Sequence, residues 1–543
     1  MEKDLFEAEY EPAASLEEQG RTQEAVMYDQ AARGADGERT IAQIWRLTLD
    51  HLAAEPLTAE LLRVLAWCAP ENIPRSLLAP LAGPARLTTA LSNLAAYNMI
   101  TLDPDSITVH RLAQAVARTP DPRTPHQPDN PDAPGDPHRR PADIYAAREL
   151  ATDLLNQALP ATTDDPTEWP TWHTLLPHID ALAEHTGPGP DTDTTSQLLN
   201  RAATFLTDQG AVARAISYFQ RALTCDQRLH GPDHPDTLSS RNNLACAYES
   251  AGDLGRAIPL YEQTLAERER VLGGDHPSTL ISRNNLACAY RAAGDLARAI
   301  PLFEAVLTDQ KQVLGGDHPD ALTSRNNLAC AYRAAGDLAR AIPLFEAVLA
   351  DRERVLGGDH PSILSSRSNL AGAYESAGDL ARAIPLYEAT LADRERVLGG
   401  DHPSTLTSRN NLAGAYESAG DLSRAIPLFE AVLTAQKQVL GGDHPDSLTS
   451  RNNLACAYRA AGDLARAIPL FEAVLTDRER VPGGDHPDTL TSRNNLASAY
   501  ESAGDLGRAI PLYEATLADC QRVLGEEHSI TKVVRANLEV VRR

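Results

Sequence analysis

Seven Asp-His pairs punctuate this sequence, at 233/234, 275/276, 317/318, 359/360, 401/402, 443/444 and 485/486. A carboxylate beside an imidazole is raw material for metal ligation or general acid-base chemistry. The spacing argues against both, because each pair lies 42 residues from the next. Copies held one structural repeat apart sit about 10 Å from one another, the usual separation of packed helices, whereas the ligands of one zinc ion lie ~2 Å from it. Capping of helices suits these residues better. The seven cysteines, at 68, 225, 246, 288, 330, 456 and 520, are odd in number and mostly separated by multiples of 42. They read as reduced thiols and not as a disulfide frame or a zinc site. Neither HExxH nor GxSxG occurs, so no catalytic residue, metal or cofactor is predicted.

Two other series hold more promise for binding. Asparagine recurs as Asn243, Asn285, Asn327, Asn369, Asn411, Asn453 and Asn495, and again as Asn537, even where its neighbour changes to Ser368 or Ala536. A primary amide offers donors and an acceptor together, which suits it to gripping an extended peptide backbone without reading side chains. Its competing role is to bond a neighbouring helix and hold a stack in register. The second series, Glu249, Arg291, Arg333, Glu375, Glu417, Arg459 and Glu501, changes sign along the chain. It either sets the specificity of a groove or forms a solvated rim.

An internal repeat positions these residues. The stretch RNNLACAYRAAGDLARAIPLFEAVL occurs unchanged at 283–307, 325–349 and 451–475, and near-copies begin at Arg241, Arg367, Arg409 and Arg493. Within one unit Leu328, Ala329 and Tyr332 fall at helical spacing, AAGD interrupts, and Leu338, Ala341, Ile342, Phe345 and Leu349 resume the pattern. The spacing predicts a helical hairpin. Gly336 suits a left-handed residue ending the first helix, and Asp337 a cap opening the second. Gly357-Gly358 then stops the chain, Asp359 or His360 can cap the next helix, and Pro361 suits its opening position. Pro343 and its equivalents lie inside the second helix, where a lost backbone bond predicts a bend. One hairpin cannot bury its apolar face, but stacked hairpins can, as a solenoid. On the first helix Thr323, Asn327, Cys330 and Ala334 share a face predicted to line its concave side.

These units resemble the tetratricopeptide repeat, in the 42-residue form found in kinesin light chains and many bacterial regulators. Leu328, Ala329, Tyr332, Gly336, Ala341, Phe345 and the GGDHP connector carry the match across residues 195–543. The resemblance implies an all-α fold, a right-handed superhelical solenoid of about eight helix hairpins closed by a cap helix from Ile530 to Val541. It also implies that the first helices line the groove and that the Asn ladder holds peptide main chain. The expected partner is therefore a protein or an extended peptide.

The first part of the chain is a different object. Residues 119–141 hold eight prolines and few apolar groups, and read as a stiff linker. Before it, Thr58 to Ala69, Pro74 to Leu81 and Arg86 to Asn98 read as helices, Met99 to Leu102 and Ser106 to Val109 as a hairpin, and a helix follows His110. Three helices and a hairpin predict a small winged-helix-like domain at 37–118, after a helical remnant or N-terminal tail at 1–36. A helical adaptor at 142–194, with helices Ile144 to Leu159 and Trp172 to Glu184, leads into the array. Trp45, Trp67, Trp169 and Trp172 all precede the repeats and read as packing anchors. Arg86 is the one basic residue of the candidate recognition helix, which argues against DNA reading.

The run from GERTIAQIWRLTLDHL through LLRVLAWCAPENIPRSLL to ITVHRLAQAVAR resembles the end of the nucleotide-binding apparatus in bacterial NB-ARC (STAND-type) regulators with C-terminal tetratricopeptide repeats. His110, in Val109-His110-Arg111-Leu112, occupies the place of that family's nucleotide-sensing histidine, with Arg111 where the family has an acidic residue. The phosphate-binding loop GxxxxGK[ST] needs a lysine, and Lys3, Lys311, Lys437 and Lys532, the four in the chain, stand in no such context. Two readings follow: an interaction scaffold in bacterial signalling, or the sensor half of a split or truncated regulator associating with an NTPase subunit.

Composition sets the outer bounds. The 543 residues carry 50 Lys+Arg against 75 Asp+Glu, a net charge of -25, which argues against nucleic acid or an anionic membrane as partner. The acidity is front-loaded, with net -17 in residues 1–200 and net -8 in the remainder. No apolar run reaches the ~18 residues of a membrane span, and MEKDLFEAEYEP lacks the basic start and apolar core of a secretory signal. A cytoplasmic, non-enzymatic protein is expected.

Overall fold

The computed structural model describes residues 50, 55–120, 138–163, 165–187, 189, 191–356, 360–526 and 528–543. The expected tail at 1–36, Trp45, most of the Pro-rich linker and Asp359 lie outside them. The chain divides into two compact units, Met1–Ala202 and Ala203–Arg543, the boundary falling inside the helix Asp193–Asp208.

In the first unit, α1 (Pro56–Leu65), β1 (Ile73–Pro74), a 3-10 turn (Arg75–Leu78), α2 (Pro84–Ala96), β2 (Ile100–Leu102), β3 (Ser106–Val109) and α3 (Arg111–Arg118) follow in order. β3 is the middle strand of an antiparallel sheet ordered β1-β3-β2, with Ile73 opposite Ile107 and Ile100 opposite Val109. The expected hairpin is present. The helix expected at Pro74 to Leu81 shrinks to the 3-10 turn, because fully buried Ile73 draws Pro74 into a strand against Ser106. The buried Gln114 amide donates to the carbonyls of Leu65 and Cys68, both at 3.0 Å, satisfying groups left over where α1 ends. Beyond the linker come α4 (Pro141–Ala158) and α5 (Trp169–His185). Trp67, Trp169 and Trp172 are buried, and the last two donate their indole N–H to Thr163 and Thr162 carbonyls at 3.0 Å.

The second unit is the array. Eight helical hairpins run from Asp193–Asp208 with Val212–His230 to Pro487–Ser502 with Leu506–Val523, and Ser529–Val541 closes the stack. In hairpin 4, Pro319–Ala334 and Leu338–Leu356, the sequence cues act as physical devices. His318 stands at the N-cap, its Nδ1 accepting the Asp320 N–H at 3.2 Å, and Pro319 takes the first helical position. Gly336 ends the helix at φ 76°, and Asp337 accepts the Arg340 N–H at 3.1 Å to open the next. The histidine of the Asp-His pair is therefore the cap, from His234 to His486, and His528 repeats the role. The aspartate does other work. Asp317 reaches Arg354 and Asp443 reaches Arg480, each at 2.5 Å. From hairpin 2 to hairpin 8 the second helix runs on through its proline, as Leu338–Leu356 does through Pro343.

Neighbouring hairpins pack through small residues. Ala329, Ala331 and Ala341 are fully buried, letting helix backbones approach while Phe345 and Leu328 fill the spaces between. Polar links cross each junction. Buried Arg352 donates to the Ser362 carbonyl at 3.1 Å and Ser366 Oγ at 2.7 Å in the next hairpin, and Arg268, Arg394 and Arg478 repeat the link to Ser282, Ser408 and Ser492. Tyr332 donates its hydroxyl to Glu304 of the preceding hairpin, while the Arg340 guanidinium lies 4.1 Å from its ring centre.

The superhelix closes on itself. His444 Nε2–H donates to the Asp208 carbonyl at 3.2 Å and His528 Nε2–H to the Ala292 carbonyl at 3.4 Å, each pair 236 residues apart; His486 bonds the Ser250 carbonyl at the same interval. A capping imidazole whose Nδ1 accepts must carry its proton on Nε2, so one neutral ring caps its helix and clasps the previous turn. The turn glycines 210, 252 and 294 lie against Pro445, Pro487 with His486, and His528. Their counterparts 336, 378, 420, 462 and 504 face open space. A cavity of ≈ 1010 Å³ runs along this seam, its lining including Ile216, Leu448 and Leu524.

Two outcomes follow. Gly252 and Gly336 have φ 72° and 76°, so alanine at either is expected to cost about 1 kcal/mol of backbone strain. Only at Gly252 does a Cβ meet Pro487 Cδ at 2.6 Å. Small-angle scattering of the full chain should show expansion for Gly252→Ala and a parental profile for Gly336→Ala; identical profiles would refute the seam. Burial holds the His486 and His528 imidazoles below their usual range, so the fold favours the neutral rings. Their contribution is complete above ~6.5, the unfolded value, and falls as pH drops below it. Urea unfolding at pH 7.5 and pH 5.5 should show a smaller acid loss for His486→Asn/His528→Asn than for the parent.

Candidate functional site

The exposed face of the first helices carries the expected stripe. In hairpin 4, Thr323 and Ala334 are exposed and Asn327 and Cys330 half-buried, while Leu328, Ala329 and Tyr332 on the other side are buried. Small side chains leave room along this face, and the repeat sets one copy beside the next.

The Asn ladder is held from behind. Asn285 donates an amide hydrogen to Asn242 Oδ1 of the preceding hairpin at 3.2 Å, Asn327 to Asn284 at 3.2 Å, Asn369 to Asn326 at 3.0 Å, Asn453 to Asn410 at 3.3 Å and Asn495 to Asn452 at 3.2 Å. Asn411 donates to Ser368 Oγ at 3.5 Å, so the link survives where the partner Asn is replaced. These bonds hold adjacent first helices in register, the second role weighed for the ladder. One N–H of each amide is thereby spent, and among the described residues no donor reaches Oδ1 of Asn285, Asn327, Asn369, Asn411, Asn453 or Asn495. Asn243, in hairpin 2, belongs to the same rank. The Asn-to-Asn link was not foreseen from sequence, although the doubled Asn-Asn of most repeats was its signal.

The charged series lies on the same side of the first helices. Glu249, Arg291, Arg333, Glu375, Glu417, Arg459 and Glu501 are all half-buried, not a freely solvated rim. Tyr261 donates to Glu249 at 2.9 Å and Tyr387 to Glu375 at 3.1 Å, from the second helix of the same hairpin. Arg459 donates to Ser498 Oγ at 2.7 Å in the next hairpin. Burial raises the Glu249 carboxyl above its ordinary range, with Tyr261 and Arg291 opposing. Burial also pushes the Cys288 thiol up to about 11 and Cys68 to about 12, so these thiols are protonated at neutral pH. None of the seven cysteines forms a disulfide.

The remaining candidates are placed as follows. His110 stands at the N-cap of α3, its Nδ1 accepting the Leu112 N–H at 3.3 Å. Among the described residues, His230, His234 and Asp236 bring metal-type atoms within 4.8 Å of one another. The two rings stack at 4.4 Å, and His234 Nδ1 accepts the Asp236 N–H at 3.3 Å, so packing and capping already engage them. No described helix is long and apolar enough to cross a membrane.

Tetratricopeptide repeat models match residues 194–269, 256–311, 321–362, 362–438, 424–479 and 458–522. A Podosopora anserina protein of the kinesin-light-chain type, with nearly identical TPR-like repeats, is 35% identical over 38% of this chain and 97% of its own, with TM-score 0.33. A STAND protein with a tetratricopeptide repeat sensor from Pyrococcus horikoshii is 12% identical over 96% of this chain and 70% of its own, with TM-score 0.48. A Rap protein complexed with competence and sporulation factor is 12% identical over 65% of this chain and 98% of its own, with TM-score 0.40. No curated protein matches. Repeat models that cover more than half of the sequence, on hairpins with one capping scheme, show that the chain belongs to the tetratricopeptide repeat family.

Proposed function

We propose that the array is a scaffold that holds an extended polypeptide along the stripe of its first helices. The observation that carries this reading is that Asn285, Asn327, Asn369, Asn411, Asn453 and Asn495 are each tied to the hairpin before, while among the described residues no donor reaches their carbonyl oxygens. An amide immobilised in this way has little rotamer entropy left to lose on binding. Regularly spaced acceptors suit the N–H groups of a peptide main chain, which every sequence possesses. The half-buried charges beside them then supply selectivity. A cytoplasmic place in bacterial signalling accords with this role.

A second reading concerns the first unit. The helix, strand, helix, two strands and helix between Pro56 and Arg118, with His110 at the strand-helix junction, support reading 37–118 as a winged-helix-like domain. On this reading a domain from another chain supplies nucleotide binding, and His110 completes its pocket. Calorimetry of this chain mixed with an upstream-encoded P-loop protein should show ADP binding that His110→Ala weakens; no heat with ADP or ATP would sink the reading.

The scaffold reading is tested by substituting Asn327, Asn369 and Asn411 together with serine. Recovery of partners from the native cytoplasm on the full chain should fall, measured against the parent by quantitative mass spectrometry. Helicity and melting should hold. Unfolding of the variant would instead assign the ladder to stacking alone.

A further inference from the structure

The charges of the groove are not paired evenly. Where the first helix carries glutamate, the second usually answers with tyrosine, as Tyr261, Tyr387 and Tyr513 do for Glu249, Glu375 and Glu501. Where it carries arginine, phenylalanine stands instead, as Phe303 and Phe345 do for Arg291 and Arg333. Hairpin 6 breaks the rule. Glu417 sits with Phe429, and among the described residues no hydrogen-bond donor reaches its carboxylate. Burial raises its proton affinity, Arg459 lowers it, and Glu375 in the neighbouring hairpin raises it further.

The cationic side shows the same incompleteness. Arg291 and Arg333 form no ion pair among the described residues, and the Arg291 Nε is buried without a partner. Arginines elsewhere on the same helices do pair, as Arg283 with Asp309 at 2.6 Å and Arg325 with Asp351 at 2.5 Å. At equivalent positions of consecutive hairpins the charged series changes sign at every step but two. At Arg291–Arg333 two cations adjoin, and at Glu375–Glu417 two carboxylates do. Like charges held together in a half-buried place are unfavourable, and an opposite charge on a ligand relieves each pair.

Resting on the peptide-groove reading above, we propose that the array selects an extended peptide with an acidic side chain over Arg291–Arg333 and a basic side chain over Glu375–Glu417. The centres of the two pairs are two repeats apart, about 20 Å at ~10 Å per packed repeat. Extended chain rises ~3.3 Å per residue, so the acidic and basic groups stand about six residues apart in the ligand. Asn327 and Asn369 lie between the two pairs, where main chain passes from one to the other.

Fluorescence anisotropy with the full chain tests this, using labelled Gly/Ser/Ala peptides that carry a Glu pair and a Lys pair with centres six residues apart. This peptide should bind about ten-fold more tightly than versions with either pair changed to Gln, or with the two pairs adjacent. Raising salt from about 50 to about 500 mM should remove the preference. In Arg291→Gln/Arg333→Gln the distinction between Glu and Gln peptides should vanish while that between Lys and Gln persists; Glu375→Gln/Glu417→Gln should do the converse. If the peptides bind without regard to charge, this inference fails and the groove reading stands. If no peptide binds at all, both fail. The peptide set and the salt series need only the unsubstituted chain, so a misfolded variant leaves the test intact.

Discussion

Everything in the array depends on how closely one helix backbone can approach the next. Ala329, Ala331 and Ala341 remove the side chains that would hold the helices apart, and Phe345 and Tyr332 then fill what remains. A single hairpin would expose these surfaces to water, and only its neighbours remove them. Stability of the solenoid is thus a property of junctions, not of hairpins. Polar groups at the same junctions, Arg352 with Ser366 or Tyr332 with Glu304, are satisfied only when the stacking register is correct. They penalise a slipped stack, because a buried guanidinium without acceptors is costly.

The inner stripe carries the reverse arrangement. There, among the described residues, Oδ1 of Asn285, Asn327 and Asn369, the Arg291 Nε and the Glu417 carboxylate are left without a hydrogen-bond partner after folding is complete. A surface that keeps half-buried polar groups unsatisfied has given up stability that the sequence could have kept, since the tyrosines opposite Glu249 and Glu375 show how easily a partner is supplied. The peptide binding proposed for this stripe would give that cost a use.

Much of this could be read in the sequence, and the reason lies in its periodicity. Each device appears seven or eight times, so Gly336, Asp337 and Pro361 reveal their roles by recurrence even to a reader with one sequence. What escaped reading depends on contacts far apart in the chain. The strand at Ile73–Pro74 exists because Ile107 lies opposite it, and no local pattern announces that. That histidine and not aspartate is the cap shows only in the structure, where His318 Nδ1 accepts the Asp320 N–H while Asp317 pairs with Arg354. The Asn-Asn links connect residues 43 apart. Their signal, the doubled asparagine, was visible, but its partner was not. Half-burial of the charged series likewise comes from neighbours distant in sequence, such as Tyr261 against Glu249 and Ser498 against Arg459, which spacing alone does not give.

The clasp between turns carries a consequence for how such a chain changes in evolution. The first clasp joins Asp208 to His444, the cap of the seventh hairpin, and the later ones join Ser250 to His486 and Ala292 to His528. A chain of six hairpins would have none, an open arc free to flex like a spring. Each further repeat adds one rivet between the coils. Near-identical repeats make gain or loss of a unit an easy genetic event, so stiffness in this molecule comes in whole-number steps, set by copy count without any change of residue.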